Sequence, residues 1–109
     1  MTTANATPLD DAIAARQRGN YAHALKIFKS LAAHGDAKAQ YNLGLMYRYA
    51  YGVLQDYTSA HMWLNLASAG GSVLATEMRD KVTKLMTPQQ IEKEQDMARA
   101  YQEKNFKGC

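Results

Sequence analysis

Apolar residues recur along this chain at the three- and four-residue spacing of an amphipathic helix. No segment alternates apolar and polar residues with the period of two that a half-buried strand requires. The clearest stripe lies within residues 21–34, and its members are Tyr21, Ala24, Leu25, Phe28, Leu31 and Ala32. The pattern predicts an all-α fold of six helices, over about residues 10–18, 21–34, 37–50, 57–69, 72–86 and from 88 onward.

Residues that start and stop helices support these boundaries. Asn20, Asp36 and Asp56 each precede a predicted helix, and their side chains suit an N-cap. Glycine follows the second, third and fourth helices, where a left-handed residue ends a helix. The segment TPQQ, residues 87–90, has a Thr cap, a Pro at the first helical position and a Gln three residues after the cap, which together form a capping box.

The chain repeats itself at a spacing of 36 residues. The segment IFKSLAAHG, which begins at Ile27, returns as WLNLASAGG, which begins at Trp63. The matched pairs are Tyr21 with Tyr57, Ala24 with Ala60, Phe28 with Leu64, Ala33 with Ala69, Gly35 with Gly71 and Ala39 with Ala75. A period in this range predicts a helical solenoid, in which helix pairs stack because one pair cannot cover its own apolar face.

Residues 37–71 carry a longer and more specific pattern. Its members are Ala37, Ala39, Leu43, Gly44, Tyr47, Gly52, Val53, Asp56, Ala60, Trp63, Leu64, Ala67 and Gly71. On these residues the segment resembles a Sel-one-like repeat, a branch of the tetratricopeptide superfamily. The resemblance implies a short right-handed alpha-alpha solenoid of about three antiparallel helix pairs, working as an adaptor that holds a peptide or a partner protein.

The resemblance also implies a domain organisation. Residues 1–9 are expected to be a disordered N-terminal segment and residues 106–109 a tail, with one repeat domain over 10–105 between them. Within that domain, residues 10–36 are expected to be a partial repeat, 37–71 the complete repeat and 72–105 a capping helix pair, which is similar to the cap of bacterial members. The flanking units lack the Leu-Gly-x-x-Tyr signature, which argues against a long continuous groove.

In repeats of this superfamily the first helix of each pair lines the concave face. Carried onto the complete repeat, this implies a partner-binding set on the third helix: Lys38, Tyr41, Asn42, Leu45, Arg48 and Tyr49. Most of these residues also form a stripe of their own beside the core stripe. Tyrosine offers large contact area with few rotatable bonds, and arginine binds carboxylates in a bidentate fashion. From the first helix, Ile13, Arg16 and Gln17 are expected to join them.

Charge and hydropathy narrow the classes of function. The formal net charge is +3, and between residues 39 and 76 the formal charges are Arg48 and Asp56 alone. This distribution favours a buried or partner-facing middle and argues against a nucleic-acid partner. No apolar run reaches the roughly 18 residues of a membrane span, and the first residues do not resemble a signal peptide. A soluble protein is expected, cytoplasmic by default, with the periplasm as the alternative.

Residues with chemical potential are few. The lone cysteine, Cys109, cannot form an internal disulfide or a Cys-rich metal site. Each histidine is expected to be a partly exposed helix residue, and the alternating charges of the last helix, including Glu94, a solvated outer face. Tyr47 and Trp63 are expected in the core. The sequence therefore predicts neither a cofactor nor a metal, and no catalytic residue.

Three alternatives to a monomeric adaptor stay open. Some cysteine-rich relatives in the family have been linked to penicillin binding or β-lactam hydrolysis, but one cysteine fits that class poorly. A nucleic-acid binder is permitted by the sequence pI near 9.0 but disfavoured by the interspersed acids. A short solenoid can also extend its stack through a second copy, which would make a weak homodimer.

Overall fold

The computed structural model describes residues 6–105, apart from the side chains of residues 102 and 105. Six α-helices and no strands occur in this part of the chain, which confirms the all-α prediction. The helices are α1 (Pro8–Gln17), α2 (Tyr21–Ala33), α3 (Ala37–Tyr49), α4 (Tyr57–Ala69), α5 (Val73–Thr83) and α6 (Pro88–Asn105). None of these helices is long and apolar enough to cross a membrane.

Local capping chemistry explains where the helices begin. The carboxylate of Asp36 accepts from Ala39 N at 3.0 Å, and that of Asp56 accepts from Ser59 N at 3.0 Å. The predicted capping box at α6 is also present, since Gln90 N donates to Thr87 Oγ1 at 3.1 Å and Thr87 N to Gln90 Oε1 at 2.9 Å. Asn20 occupies the N-cap position of α2, as predicted, but its side chain makes no capping hydrogen bond.

Helix α1 begins two residues earlier than predicted. Thr7 and Asp10 form a capping box, with Pro8 at the first helical position. Residues 8 and 9 of the predicted disordered segment are therefore helical. Residues 1–5 and the predicted tail, with Cys109, lie outside the described residues.

The repeat at a spacing of 36 residues is reproduced in the backbone. Asp36 N bonds Leu31 O at 3.1 Å, and Ser72 N bonds Ala67 O at 3.0 Å. The preceding glycines have φ values of +91° and +100°. Four side chains at matched positions have no exposed surface: Ala24, Ala60, Phe28 and Leu64. The α2–α3 and α4–α5 junctions thus share a hydrogen bond, a glycine of positive φ and buried side chains at matched positions.

Successive helices pack on one another from α1 to α5, and α6 packs on α4. The expected hairpin of α5 with α6 is therefore not closely packed. The reason lies in α5, whose two fully buried residues, Ala75 and Val82, join α4 residues in one apolar cluster and leave no buried face for α6. The apolar stripe of α6, which includes Ala98, instead joins the larger cluster around Met62 and Trp63.

Two glycines permit close approaches that fix the central repeat. A Cβ at Gly44 would lie 2.7 Å from Leu64 Cγ, so this glycine lets α3 press against α4. Gly52, with φ +76°, would place a Cβ 2.5 Å from Tyr21 Cβ. The loop of residues 50–56 is thereby seated against α2, and Asp56 N bonds Tyr47 O at 3.0 Å to close it.

Candidate partner-binding groove

A cleft of about 470 Å³ opens between α1, α3 and the start of α5. Three of the six predicted binding residues line it, namely Lys38, Tyr41 and Asn42. The remaining lining residues are Ile13, Ala37, Gly70, Gly71, Ser72, Val73 and Leu74. The structure therefore brings the first half of the predicted set together at one surface.

Helix caps place the residues of the cleft. Asp36 caps α3 two residues before Lys38, and Ser72 caps α5 immediately before Val73, so both helices begin at the cleft. The α4–α5 turn lies close against the start of α3, since a Cβ at Gly70 would lie 3.1 Å from Ala37 Cβ. The cleft is thus built by the two equivalent junctions of the repeat.

Within the cleft the predicted residues differ in access. Lys38 is exposed, and Tyr41 is half-buried against the cluster of Leu64 and Ala67. Asn42 is only 7% exposed, and its Nδ2 donates to Lys38 O at 2.9 Å. Part of its donor capacity is therefore used inside the helix, and Asn42 belongs to the floor of the cleft.

The other half of the predicted set lies away from the cleft lining. The guanidinium carbon of Arg48 lies 4.9 Å from the ring centroid of Tyr49, within cation–π range. Tyr49 contacts Tyr51 at 5.6 Å between centroids, and Tyr51 stacks on Tyr21 at 5.2 Å. We call Tyr21, Tyr49 and Tyr51 the tyrosine stack. Leu45, also predicted, is half-buried between the cleft and the stack on α3.

Of the three α1 residues expected to join the binding set, one lines the cleft. Ile13 lines the cleft, whereas Gln17 is exposed and does not. Arg16 is half-buried, and its Nε is buried without a hydrogen-bond acceptor among the described residues. The Nε of Arg48 is likewise buried without a hydrogen-bond acceptor among the described residues.

The sequence prediction missed exposed apolar residues beside the cleft. Val73 and Leu74 are 71% and 60% exposed. A signal existed, because the spacing of 36 residues pairs Leu74 with Lys38 and Leu85 with Tyr49. Leu85 and Tyr49 are exposed to similar degrees, 47% and 44%. Val73 and Leu74 thus add two exposed apolar side chains to the lining of the cleft.

Tyr47, which was predicted in the core, and Tyr101 both pack against the main apolar cluster. Tyr47 packs on the main apolar cluster, and its pKa is raised by burial and, secondarily, by the charge of Asp56. The pKa of Tyr101 is raised by burial. Trp63 is 8% exposed, which confirms its predicted core position, and it meets the Tyr101 ring edge-on at 4.8 Å.

A second polar arrangement lies at the interface of α4 with α5 and α6. His61 Nε2 lies 2.9 Å from Thr83 Oγ1, and His61 Nδ1 lies 2.7 Å from Glu94 Oε2. The second contact is close but is not a hydrogen bond, and His61 Nδ1 and both carboxylate oxygens of Glu94 have no hydrogen-bond partner among the described residues. We call these three residues the polar line.

The polar line corrects two predictions. His61 is 5% exposed and Glu94 is not exposed at all, so neither is a solvated helix residue. The cause is packing, because α4 is covered by α3, α5 and α6 together. A signal existed for Glu94, which lies within the apolar stripe of α6, three residues after Ile91 and four before Ala98.

The order Thr83, His61, Glu94 matches the order of a catalytic triad, in which a hydroxyl, an imidazole and a carboxylate follow one another. The hydroxyl of Thr83, however, donates to Arg79 O at 2.8 Å, and the imidazole is buried. This hydrogen bond occupies the proton that a nucleophile would give to the base. The arrangement is suited to joining three helices.

The other histidines agree with their prediction. His23 Nε2 lies 3.0 Å from the exposed Asp11 carboxylate, and His34 Nδ1 lies 2.7 Å from Ser30 O, both at the surface. Within residues 6–105, no group of three or more His, Cys, Asp or Glu side chains is placed to hold a metal ion.

Comparison of the chain with protein-family models, curated proteins and solved structures finds no match. The class that the fold defines is an all-helical protein whose helix junctions repeat at a spacing of 36 residues. Function is therefore argued from the cleft itself.

Proposed function

We propose that this protein is a non-catalytic adaptor of the Sel-one-like repeat type, which binds a peptide or a segment of a partner protein in the cleft between α1, α3 and α5. The observation that carries the proposal is the pairing of exposed Val73 and Leu74 with Lys38 at the rim of a 470 Å³ cleft. Covering the two apolar side chains supplies a driving force of about 25 cal/mol per Å² of apolar surface removed from water.

The charges favour an acidic partner. Lys38 is the charged residue among those that line the cleft, and Arg48 lies ten residues further along the same helix. At a rise of about 1.5 Å per residue the two residues are about 15 Å apart along the axis. An extended segment spans that distance with about five residues. The expected ligand has an apolar residue for the cleft and carboxylates toward Lys38 and Arg48.

The tyrosine stack supports recognition at the far end of this surface. Tyr49 is 44% exposed, yet it contacts both Tyr51 and the guanidinium of Arg48. A side chain restrained in this way loses little conformational freedom when a partner covers it. Tyrosine and arginine are also the residue types enriched at binding hot spots.

A random peptide display selection against the immobilised protein tests the proposal. We expect enriched peptides to combine an apolar residue with one or two acidic residues. We expect the variants Leu74→Ser and Lys38→Glu to lose binding to those peptides at least tenfold. Lys93→Glu makes the same charge change at an exposed position of α6 and serves as the matched control.

The proposal fails if selected peptides bind the Leu74→Ser, Lys38→Glu and wild-type proteins equally. It also fails if Lys93→Glu weakens binding as much as Lys38→Glu, since attraction would then depend on net charge alone. Both comparisons require that the variants melt at the same temperature as the wild type. We expect this because the side chains of Leu74, Lys38 and Lys93 are exposed.

A further inference from the structure

Helix α5 and the turn after it expose three large apolar side chains. Val73 and Leu74 are 71% and 60% exposed at the start of α5, and Leu85 is 47% exposed just after its end. Lys84 keeps right-handed helical backbone angles, and Leu85 N bonds Val82 O at 2.9 Å, so the helical course of the chain continues to Leu85. The three apolar side chains therefore belong to one length of helix.

Exposed residues recur along this helix at a spacing of four, which places them on one face. The row consists of Val73, Glu77, Lys81 and Leu85, and Leu74 and Lys84 lie beside it. We call these six residues the α5 ridge. All of them are exposed, whereas Ala75 and Val82 on the other side of the helix are buried with residues of α4. The ridge is left uncovered because α6 packs on α4 instead of α5.

The α5 ridge is complementary to a second copy of itself in antiparallel orientation. With a two-fold axis at residue 79, Val73 of one copy meets Leu85 of the other, and Glu77 meets Lys81 of the other. A parallel arrangement would instead place Glu77 against Glu77, and opposed like charges are unfavourable. Both charges are available, since neither Glu77 nor Lys81 forms an ion pair with another described residue.

We propose that two copies of this protein associate through their α5 ridges, in antiparallel orientation about a two-fold axis at residue 79. Such an interface is isologous, so each contact occurs twice. From Val73 to Leu85 the ridge is about 18 Å long, and a helix with its side chains is about 10 Å wide. This strip is smaller than the roughly 800 Å² that each partner buries in a standard stable interface. The dimer is therefore weak and forms at high protein concentration.

The α5 ridge shares Val73 and Leu74 with the lining of the cleft. A second copy seated on the ridge covers one rim of the cleft, so it competes there with a bound peptide. The complementarity of the ridge does not depend on whether the cleft binds a peptide, because the contacts of Glu77, Lys81 and Leu85 lie outside the cleft lining.

Sedimentation equilibrium of the full chain, between about 10 μM and about 1 mM, tests for the dimer. We expect the weight-average mass to rise from that of the monomer toward that of the dimer across this range. A monomer at every concentration overturns the proposal. The cleft proposal is then unaffected if display-selected peptides still bind the wild type and not Leu74→Ser.

Exchange of charges tests the register of the two helices. Glu77→Lys and Lys81→Glu each oppose like charges at both symmetric contacts, so each is expected to weaken dimerisation at least about tenfold. The double variant restores opposite charges and is expected to recover the wild-type dimerisation. Lys93→Glu makes the same charge change as Lys81→Glu at an exposed position of α6 and should have no effect. A double variant that does not recover, or an equal loss with Lys93→Glu, overturns the register.

Disulfide trapping tests the direction of the two helices. In a Cys109→Ser background, a mixture of Val73→Cys and Leu85→Cys chains is expected to form a cross-linked dimer, since these two positions meet across the axis. Either chain alone should cross-link much less, because its two cysteines would lie about 18 Å apart at opposite ends of the interface. Cross-linking of Val73→Cys alone as readily as the mixture would overturn the antiparallel dimer.

Discussion

Two regions of the molecule place polar and apolar side chains in opposite ways. At the cleft, Val73 and Leu74 are mostly exposed. At the interface of α4 with α6, Glu94 and His61 are almost fully buried. Buried ionisable residues are rare and costly unless they are paired, whereas exposed apolar residues are common on protein surfaces. Glu94 lies 2.7 Å from His61 inside the chain, whereas Val73 and Leu74 face solvent at the rim of the cleft, where we propose that a partner binds.

The largest effect is expected at Trp63, in the buried region. Trp63→Ala removes an indole that is 8% exposed and in edge-on contact with Tyr101. We expect the free energy of unfolding to fall by about 3–5 kcal/mol, measured by urea denaturation followed by circular dichroism. A loss under about 1 kcal/mol would show that α6 does not depend on this contact.

Removing one partner of the polar line is expected to cost nearly as much. Glu94→Ala leaves His61 buried beside a cavity, and a loss of about 3 kcal/mol in unfolding free energy follows. Glu92→Ala, at an exposed position of the same helix, is the control and should change stability by less than about 0.5 kcal/mol. If Glu94→Ala and Glu92→Ala lowered the unfolding free energy equally, the burial of Glu94 would not matter for stability.

The loop beside the tyrosine stack gives an intermediate effect. Gly52→Ala forces a left-handed alanine and an overlap with Tyr21, so we expect a loss of about 2–3 kcal/mol. Gly71→Ala also has a positive φ, but its Cβ would meet open space, and a loss of about 1 kcal/mol is expected. Thermal melts of the pair check the order, and a larger loss at Gly71 would contradict it.

At the cleft, stability and binding are expected to separate. Leu74→Ser should leave the unfolding free energy within about 0.5 kcal/mol of wild type, because the side chain is already 60% exposed. Its binding to display-selected peptides should nevertheless fall. A stability loss above about 1 kcal/mol would mean that Leu74 serves the fold.

The smallest effect is an expected absence of labelling. Purified protein incubated with a fluorescent β-lactam should show no covalent label after denaturing electrophoresis. A cysteine-rich hydrolase class is the alternative to the adaptor, and labelling that an unlabelled β-lactam competes away would favour it. A lysine-rich protein of similar size provides the control for nonspecific acylation.

The helices were predictable because their signals are local. Asp36, Asp56 and the box at Thr87 cap the helices that the sequence assigns to them. The spacing of 36 residues identified equivalent junctions because matched small and large residues meet the same packing at each. Asn20 shows the limit of such reasoning, since a suitable residue type does not ensure a capping bond.

Local signals did not predict the polar line. They also did not predict that only half of the binding set lines the cleft. His61 and Glu94 lie 33 residues apart, and their contact depends on α6 packing on α4 rather than on α5. Arg48 and Tyr49 contact each other and the neighbouring tyrosine, a tertiary arrangement set by the loop after α3. Helical periodicity gives the face on which a residue lies, but not which neighbour covers that face.

A ¹⁵N–¹H correlation spectrum of the protein, titrated with a display-selected peptide, tests the adaptor proposal most directly. The account predicts shift changes concentrated at Lys38, Tyr41, Val73 and Leu74, with little change at Lys26 on α2 or Met97 on α6. Shift changes confined to α2 or α6, with the cleft residues unmoved at saturating peptide, would contradict it.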